Sequence, residues 1–399
     1  MLASLSLIFI VGLAMGAICQ KLKLPRIIGM LVTGIVLGPY VLDLLDPSIL
    51  SISAELRKMA LIIILLKAGL SLDLKDLKKA GRSAVLLSFV PASFEIAGYV
   101  LCAPAILGIT RVEAAVMGAV LGAVSPAVVI PRMVALMEKK YGTEKAIPQM
   151  IMAGASCDDI FVIVLFATFL SIAQGGHANV LDFVNIPVSI VLGIILGAVT
   201  GYGLYLFFET AYARKHCVRN SMKVIIVLGF SFLLVSVEGW LEGKISVSGL
   251  LAVVAMACVI KMKSPVFVSK RLSEKFGKLW LAAEVMLFVL VGAAVDIRYT
   301  LSAGLSAVLM IFVALLFRSV GVLLCVAGSR LTWKERLFCV IAYLPKATVQ
   351  AAIGSVPLSA GLSCGKIVLS VAVLAIIITA PLGAIGMDAA YQRLLEKEK

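Results

Sequence analysis

Charge is scarce in this chain. Only 15% of its 399 residues are charged and 7% are aromatic, whereas 62% are hydrophobic, and the mean hydropathy is +1.11. No water-soluble globule could clothe its surface with so few polar groups. Histidine is nearly missing: two residues, His177 and His216, both in expected loops, are too few to complete a metal site. The eight cysteines form no CxxC pair, and Cys19, Cys102, Cys157, Cys258, Cys325 and Cys339 fall inside apolar runs, where each reads as a small core residue. Long polar stretches are wanting too, so no separate soluble domain is expected. The first apolar run has its positive charges after it, the reverse of a cleavable signal, and is expected to stay as a membrane helix.

What is present is one apolar run after another. A bilayer core about 30 Å thick needs roughly 20 apolar residues per helical crossing. The runs, divided by Gly, Pro and charge clusters, predict about thirteen membrane helices, and they are too long and uniformly apolar for barrel strands. The expected fold class is an all-α polytopic membrane protein.

The formal charge of +14 has an origin in topology. Placing the loop with Lys21, Lys23 and Arg26 in the cytoplasm puts every alternate loop there, including those from Lys75 to Arg82, Lys139 to Lys145, Arg214 to Lys223, Lys261 to Lys278 and Arg330 to Arg336. That side collects 27 of the 36 basic residues, against six on the other (Arg57, Lys58, Arg111, Lys244, Arg298 and Lys366). The asymmetry predicts an odd helix count, an external N-terminus and a cytoplasmic C-terminus; the expected location is a bacterial inner (plasma) membrane. It also removes nucleic acid as a partner; the lipid bilayer takes that place.

Shifted by about 220 residues, the chain lies over itself. Residues 65 to 73, ending at Asp73, fall on residues 288 to 296, ending at Asp296, an offset of 223; Gly29 falls on Gly249 and Pro126 on Pro345. Residues 1–183 then form a first six-helix repeat, 184–221 a connector helix and loop, and 222–399 a second repeat. An odd connector forces the second repeat to enter the membrane from the opposite side. Inverted repeats with crossed broken helices are the architecture of secondary transporters, whose sites lie where the breaks meet. The breaks are expected at Ser125-Pro126, with Pro131 beyond, and at Pro345-Lys346-Ala347-Thr348, because proline removes a backbone donor and frees polar groups at membrane depth.

Five ionisable residues fall well inside expected helices: Glu95, Asp158, Asp159, Arg318 and Lys346. Isolated charges at the bilayer centre cost roughly 2.5 to 3.5 kcal/mol each on insertion scales, so partners or a watery cavity are required. Lys67 and Glu284 lie nearer helix ends and read as structural. Glu95 and Arg318, opposite in sign and 223 residues apart, are expected to form a buried ion pair. Asp158 and Asp159 point about 100° apart on a helix, so both can border one cavity without forming a single chelate. A cavity aspartate beside the mobile ammonium of Lys346 can exchange protons, and a hard carboxylate site with backbone and hydroxyl oxygens suits a small monovalent cation. Sodium or lithium competing with protons for such a carboxylate gives exchange without a separate coupling device. No cofactor is expected; the cation and protons are transported.

At these residues the chain resembles the monovalent cation:proton antiporters, and within them the NHA branch of sodium/proton exchangers. The likeness covers nearly the whole chain: Leu24-Pro25-Arg26-Ile27-Ile28-Gly29 through Gly38-Pro39, Ser125-Pro126-Ala127-Val128-Val129, Asp158-Asp159, and Leu344-Pro345-Lys346-Ala347-Thr348-Val349-Gln350-Ala351-Ala352. The resemblance implies a homodimer, with helices one to three and eight to ten as scaffold and helices four to six and eleven to thirteen as a moving core. It implies Asp159 as principal ion carboxylate, Asp158 as its neighbour contacting Lys346, and Glu95 with Arg318 as the branch's buried pair. Ser125 stands where some relatives carry an acid, which leaves open how the facing half-helix ends are neutralised.

Three rivals have to be separated from this reading. The same scaffold could exchange potassium for protons or take up an organic anion with sodium. An intramembrane aspartyl protease also needs buried acids, but from separate helices, and no GxGD is present. A non-transporting sensor would need an output domain.

Overall fold

The computed structural model describes residues 1–22, 24–71, 81–174, 180–213, 219–241, 247–296 and 304–398. Lys23, Asp73, His177, His216, Lys244 and Arg298 lie outside the described residues. Among the described residues the regular elements are all helices, with one isolated bridge between Tyr141 and Lys397.

The chain opens with α1 (Leu2–Lys21), α2 (Arg26–Leu37), α3 (Pro47–Ser51) and α4 (Ser53–Ser71). Next come α5 (Gly81–Leu87), α6 (Val90–Leu107), α7 (Arg111–Leu121), α8 (Pro126–Glu138) and α9 (Ile147–Ala173). Then follow α10 (Val180–Ala213), α11 (Asn220–Leu241), α12 (Gly249–Lys263) and α13 (Val266–Ala293). The last are α14 (Gly304–Val326), α15 (Trp333–Ala342), α16 (Thr348–Ile353), α17 (Val356–Ser359) and α18 (Gly365–Leu394). Among the described residues, nine helical spans are long and apolar enough to cross a membrane. The 20 residues of α1 rise about 30 Å, the thickness of a bilayer core. Leu101, Val199, Ile225 and Leu316 are each at least 66% exposed, as side chains that face lipid should be.

Helix caps recur with the expected spacing. The N-caps Pro25 and Ser248 of α2 and α12 are 223 residues apart; Thr110 and Thr332, capping α7 and α15, and Ser125 and Ala347, capping α8 and α16, are each 222 apart. Both threonines build a full capping box with the residue three places on, Glu113 and Glu335, which satisfies two orphan backbone donors apiece. α6 and α14 run antiparallel: Gly98 packs against Phe317, and Gly321 against Pro91 and Phe94.

Some boundaries differ from those read in the sequence. The helix expected over 82–105 is split at Ser88 and Phe89, because Pro91 near the start of α6 supplies no backbone donor to the preceding turn. The basic loop expected from Lys261 to Lys278 is mostly helix. Only Ser264 and Pro265 interrupt it, and Lys270, Arg271, Lys275 and Lys278 ride on α13.

The chain divides into two compact units, Met1–Ala54 with Asp73–Gln174 and Val285–Lys399, and Glu55–Leu72 with Gly175–Glu284. In the first, α2 meets the end of α13 at backbone distance: a Cβ on Gly34 would strike the Val289 carbonyl, and one on Gly292 the Leu31 carbonyl. In the second, Gly193, Gly197 and Gly201 form one stripe of α10 against the backbone of Ser248, Ala252 and Met256. Small residues every fourth position let membrane helices approach this closely. Lys67 and Glu284 belong to the second unit, Glu284 buried and Lys67 half-buried.

Candidate functional site

All the charged site residues read from the sequence belong to the first unit, and the two breaks bring most of them together. α7 ends at Leu121 and α8 starts at Pro126; between them Gly122 to Ser125 is not helical. α15 ends at Ala342 and α16 starts at Thr348, with Tyr343 to Ala347 non-helical between them. The breaks are bonded to each other: Ser125 N donates to Pro345 O at 2.8 Å. Gln350 closes the crossing, accepting from Ala347 N at 2.8 Å and donating through Nε2 to Ala123 O at 2.8 Å. Backbone freed by proline is thus satisfied by protein, as hydrocarbon requires.

Arg318 lies at the centre, 1% exposed. Its Nη1 donates to Glu95 Oε2 at 2.8 Å and to Gly122 O, its Nη2 to Asp158 Oδ2 at 3.0 Å, and its Nε to Tyr343 O at 2.7 Å. Gly122 and Tyr343 are the C-caps of α7 and α15. One guanidinium therefore meets the negative ends of both half-helix dipoles and two carboxylates, a task suited to its planar fork of donors. Arg318 neutralises only the negative ends; an acid at Ser125, the N-cap of α8, would instead have faced a positive end. Asp158 Oδ2 also accepts from Val124 N at 2.7 Å, at the start of α8, where the opposite dipole end favours an anion.

Lys346 is buried and donates from Nζ to Glu95 Oε2, while its backbone N donates to Thr379 Oγ1 at 2.9 Å. The contact between Asp158 and Lys346 implied by the resemblance is therefore corrected. Asp158 pairs with Arg318, and Lys346 shares Glu95 with Arg318. The physical reason is reach: Arg318 comes from α14 between the two acids and takes the Asp158 oxygen that Lys346 was expected to hold.

Several buried oxygens have no hydrogen-bond partner among the described residues: Ser125 Oγ, Asp158 Oδ1, Asp159 Oδ1 and Thr348 Oγ1. Leaving so many acceptors unsatisfied is costly unless something binds them. They come from the two breaks and from α9, and oxygens of this kind suit a hard cation. Pro126 and Pro345 flank them as the residues that open the backbone. With all five groups ionised, Glu95, Asp158 and Asp159 against Arg318 and Lys346 leave one net negative charge in the buried cluster.

Sequence reasoning missed Gln350, Tyr343, Gly122 and Thr379 as parts of the site. Gln350 carried a readable signal, an amide three residues beyond the break's cap, where a capping side chain belongs. The carbonyls of Gly122 and Tyr343 carried none, since any residue has one.

Comparison with known proteins agrees with this architecture. A family model described as sodium/hydrogen exchanger, transmembrane, matches residues 5–388. Sodium/hydrogen exchanger 9B2 of Homo sapiens is 36% identical over 390 residues, covering 94% of this chain and 70% of the relative. Sodium/hydrogen exchanger 9B1 of Homo sapiens is 32% identical over 419 residues, covering 99% of this chain and 78% of the relative. The fold is that of the sodium proton antiporter MjNhaP1 from Methanocaldococcus jannaschii, solved at pH 8, with a TM-score of 0.84, 21% identity and 98% of each chain covered. Such proteins are transporters, not enzymes, which removes the protease reading. From the matched span and these identities, the chain belongs to the sodium/hydrogen exchanger family, integral membrane proteins that exchange monovalent cations and protons.

Proposed function

We propose that the chain exchanges sodium or lithium for protons by alternating access, with cation and proton competing for the Asp158 and Asp159 carboxylates. The observation that carries this is the set of unpartnered oxygens on Ser125, Asp158, Asp159 and Thr348, in a cluster one positive charge short of neutrality. A buried net charge is expensive in a membrane interior. Either one monovalent cation or one proton supplies the missing charge, and both together would overshoot it. Asp159, whose direct pairing is the least committed, is the principal carboxylate; Asp158, held by Arg318 and Val124, is its fixed neighbour. Lys346, counted as protonated, is a second group able to release a proton.

The remaining parts of the proposal concern architecture. The matched caps and the antiparallel α6 and α14 support two inverted repeats, residues 1–183 and 222–399, joined by the connector at 184–221. A homodimer with a moving core follows from the resemblance, and an external N-terminus with a cytoplasmic C-terminus from the loop charges. The two sodium/hydrogen exchangers named above are human proteins, so the bacterial inner membrane is kept only as an expectation of the sequence.

The test is proton flux in proteoliposomes driven by gradients of sodium, lithium or potassium, with and without an imposed voltage. Sodium- or lithium-driven flux supports the proposal; flux with potassium alone would move the chain to the potassium reading. Sodium entry that requires an organic anion would move it to the cotransport reading.

A further inference from the structure

Two carboxylates at the outer ends of the broken helices do more than cap them. At the start of α15, Glu335 is 1% exposed and its Oε2 accepts from Thr332 N at 2.7 Å. The same carboxylate accepts Lys145 Nζ at 2.9 and 3.0 Å. At the start of α7, Glu113 Oε2 accepts from Thr110 N at 2.8 Å, and its other oxygen accepts from Ser363 Oγ. A capping box needs neither Lys145 nor Ser363. The surplus bond has another use.

Each one ties a half-helix of one repeat to a loop of the other. Lys145 precedes α9, which carries Asp158 and Asp159, while Glu335 starts α15, which runs to the break holding Lys346. Ser363 precedes α18, whose Thr379 accepts the Lys346 backbone, while Glu113 starts α7, which runs to the break holding Ser125. Since α6 and α14 are antiparallel, the helices that follow them begin at opposite ends of the bundle, and so do the two contacts.

We infer that the contacts Lys145 with Glu335 and Ser363 with Glu113 are paired clasps that set the axial register of the crossed breaks, and so the spacing of the cation's oxygen ligands. The inference rests on the exchange reading above. α7 and α15 are single rods of 11 and 10 residues, so a slip at the clasped end arrives undiminished at the break. A displacement near 1 Å is enough to spoil a coordination shell. These are positioning residues; none touches the ion. The hydrogen bond to Glu335 raises the Lys145 ammonium above its ordinary value.

Lys145→Met and Ser363→Ala open one clasp each and leave both capping boxes intact. Two quantities test them: the sodium KM for proton flux in proteoliposomes, and the sodium concentration giving half of the cation-induced rise in unfolding temperature in detergent. Expected is a rise in both by about tenfold, as when an outer-shell partner of a metal ligand is lost. The maximal rate should stay within about twofold, and Lys145→Arg should restore the wild-type values. Unchanged sodium dependence in both variants overturns the inference, as does a loss of rate or stability with KM unmoved. If Lys145→Met does not fold, Glu335→Gln, which keeps the capping acceptor, and Ser363→Ala decide by the same criteria. An inactive wild type would instead overturn the exchange reading, whereas an active wild type with unshifted variants overturns the clasps alone.

Discussion

Arg318 donates to Asp158 at 3.0 Å while the neighbouring nitrogen of the same guanidinium serves Glu95 at 2.8 Å. The pair read from the repeat offset is therefore one edge of a larger network, and the distinction has a measurable consequence. Arg318→Met leaves Asp158 without a cationic partner, Glu95 with Lys346 alone, and two helix-end carbonyls without a donor, at a cost of about 3 to 5 kcal/mol. Adding Glu95→Gln should bring no recovery, because Asp158 still lacks its cationic partner and Gly122 and Tyr343 their donor. Thermal unfolding of the purified protein checks this; a double variant as stable as wild type would show an isolated pair.

The two aspartates should separate by stability. Asp159→Asn is expected to abolish exchange while leaving the unfolding free energy within about 1 kcal/mol, since its Oδ1 holds no bond to break. Asp158→Asn also removes an ionic partner from buried Arg318, and should lose exchange together with about 1 to 3 kcal/mol. Measuring flux and unfolding on both variants decides. Cation-coupled flux persisting in Asp159→Asn would remove the site assignment.

Gln350 ties the two breaks with bonds to Ala347 and Ala123. Gln350→Leu leaves those buried backbone groups unpaired, costing about 1 to 3 kcal/mol for each group stranded. Unfolding temperature should fall clearly, and Gln350→Glu, which keeps the acceptor for Ala347, should fall less. Equal losses would mean the bond to Ala347 contributes little.

Gly34→Ala places a methyl group against the Val289 backbone. Neither chain can yield by rotating a side chain, so overpacking should cost about 1 to 3 kcal/mol. Gly203→Ala, with open space around it, is the control and should be neutral. A neutral Gly34→Ala would mean that α2 and α13 sit farther apart.

How far the sequence could be read follows from where each signal is stored. Pro126 and Pro345 announced the breaks because a missing N–H is visible in the residue name. Glu95, Asp158, Asp159, Arg318 and Lys346 announced themselves by the cost of charge in lipid. Of their pairing, the repeat offset pointed to Glu95 with Arg318 alone; the contacts of Arg318 with Asp158 and of Lys346 with Glu95 depend on the height at which α6, α9 and α14 cross. The split at Ser88 and the helix from Val266 were hidden for a related reason: apolar runs and basic runs mark solvent and lipid, while backbone turns are decided by Pro91, Ser264 and Pro265. The capping boxes at Thr110 and Thr332 stood in the sequence at the repeat spacing, yet their contacts to Ser363 and Lys145 are purely tertiary.

The competition between cation and proton is tested most directly by the sodium KM of exchange measured across pH in proteoliposomes. One site taking either occupant predicts that, on the acid side, KM falls by about tenfold for each unit of rising pH while the maximal rate at saturating sodium stays constant. A KM independent of pH, with only the maximal rate changing, would mean that sodium and protons occupy separate places, and would contradict the account.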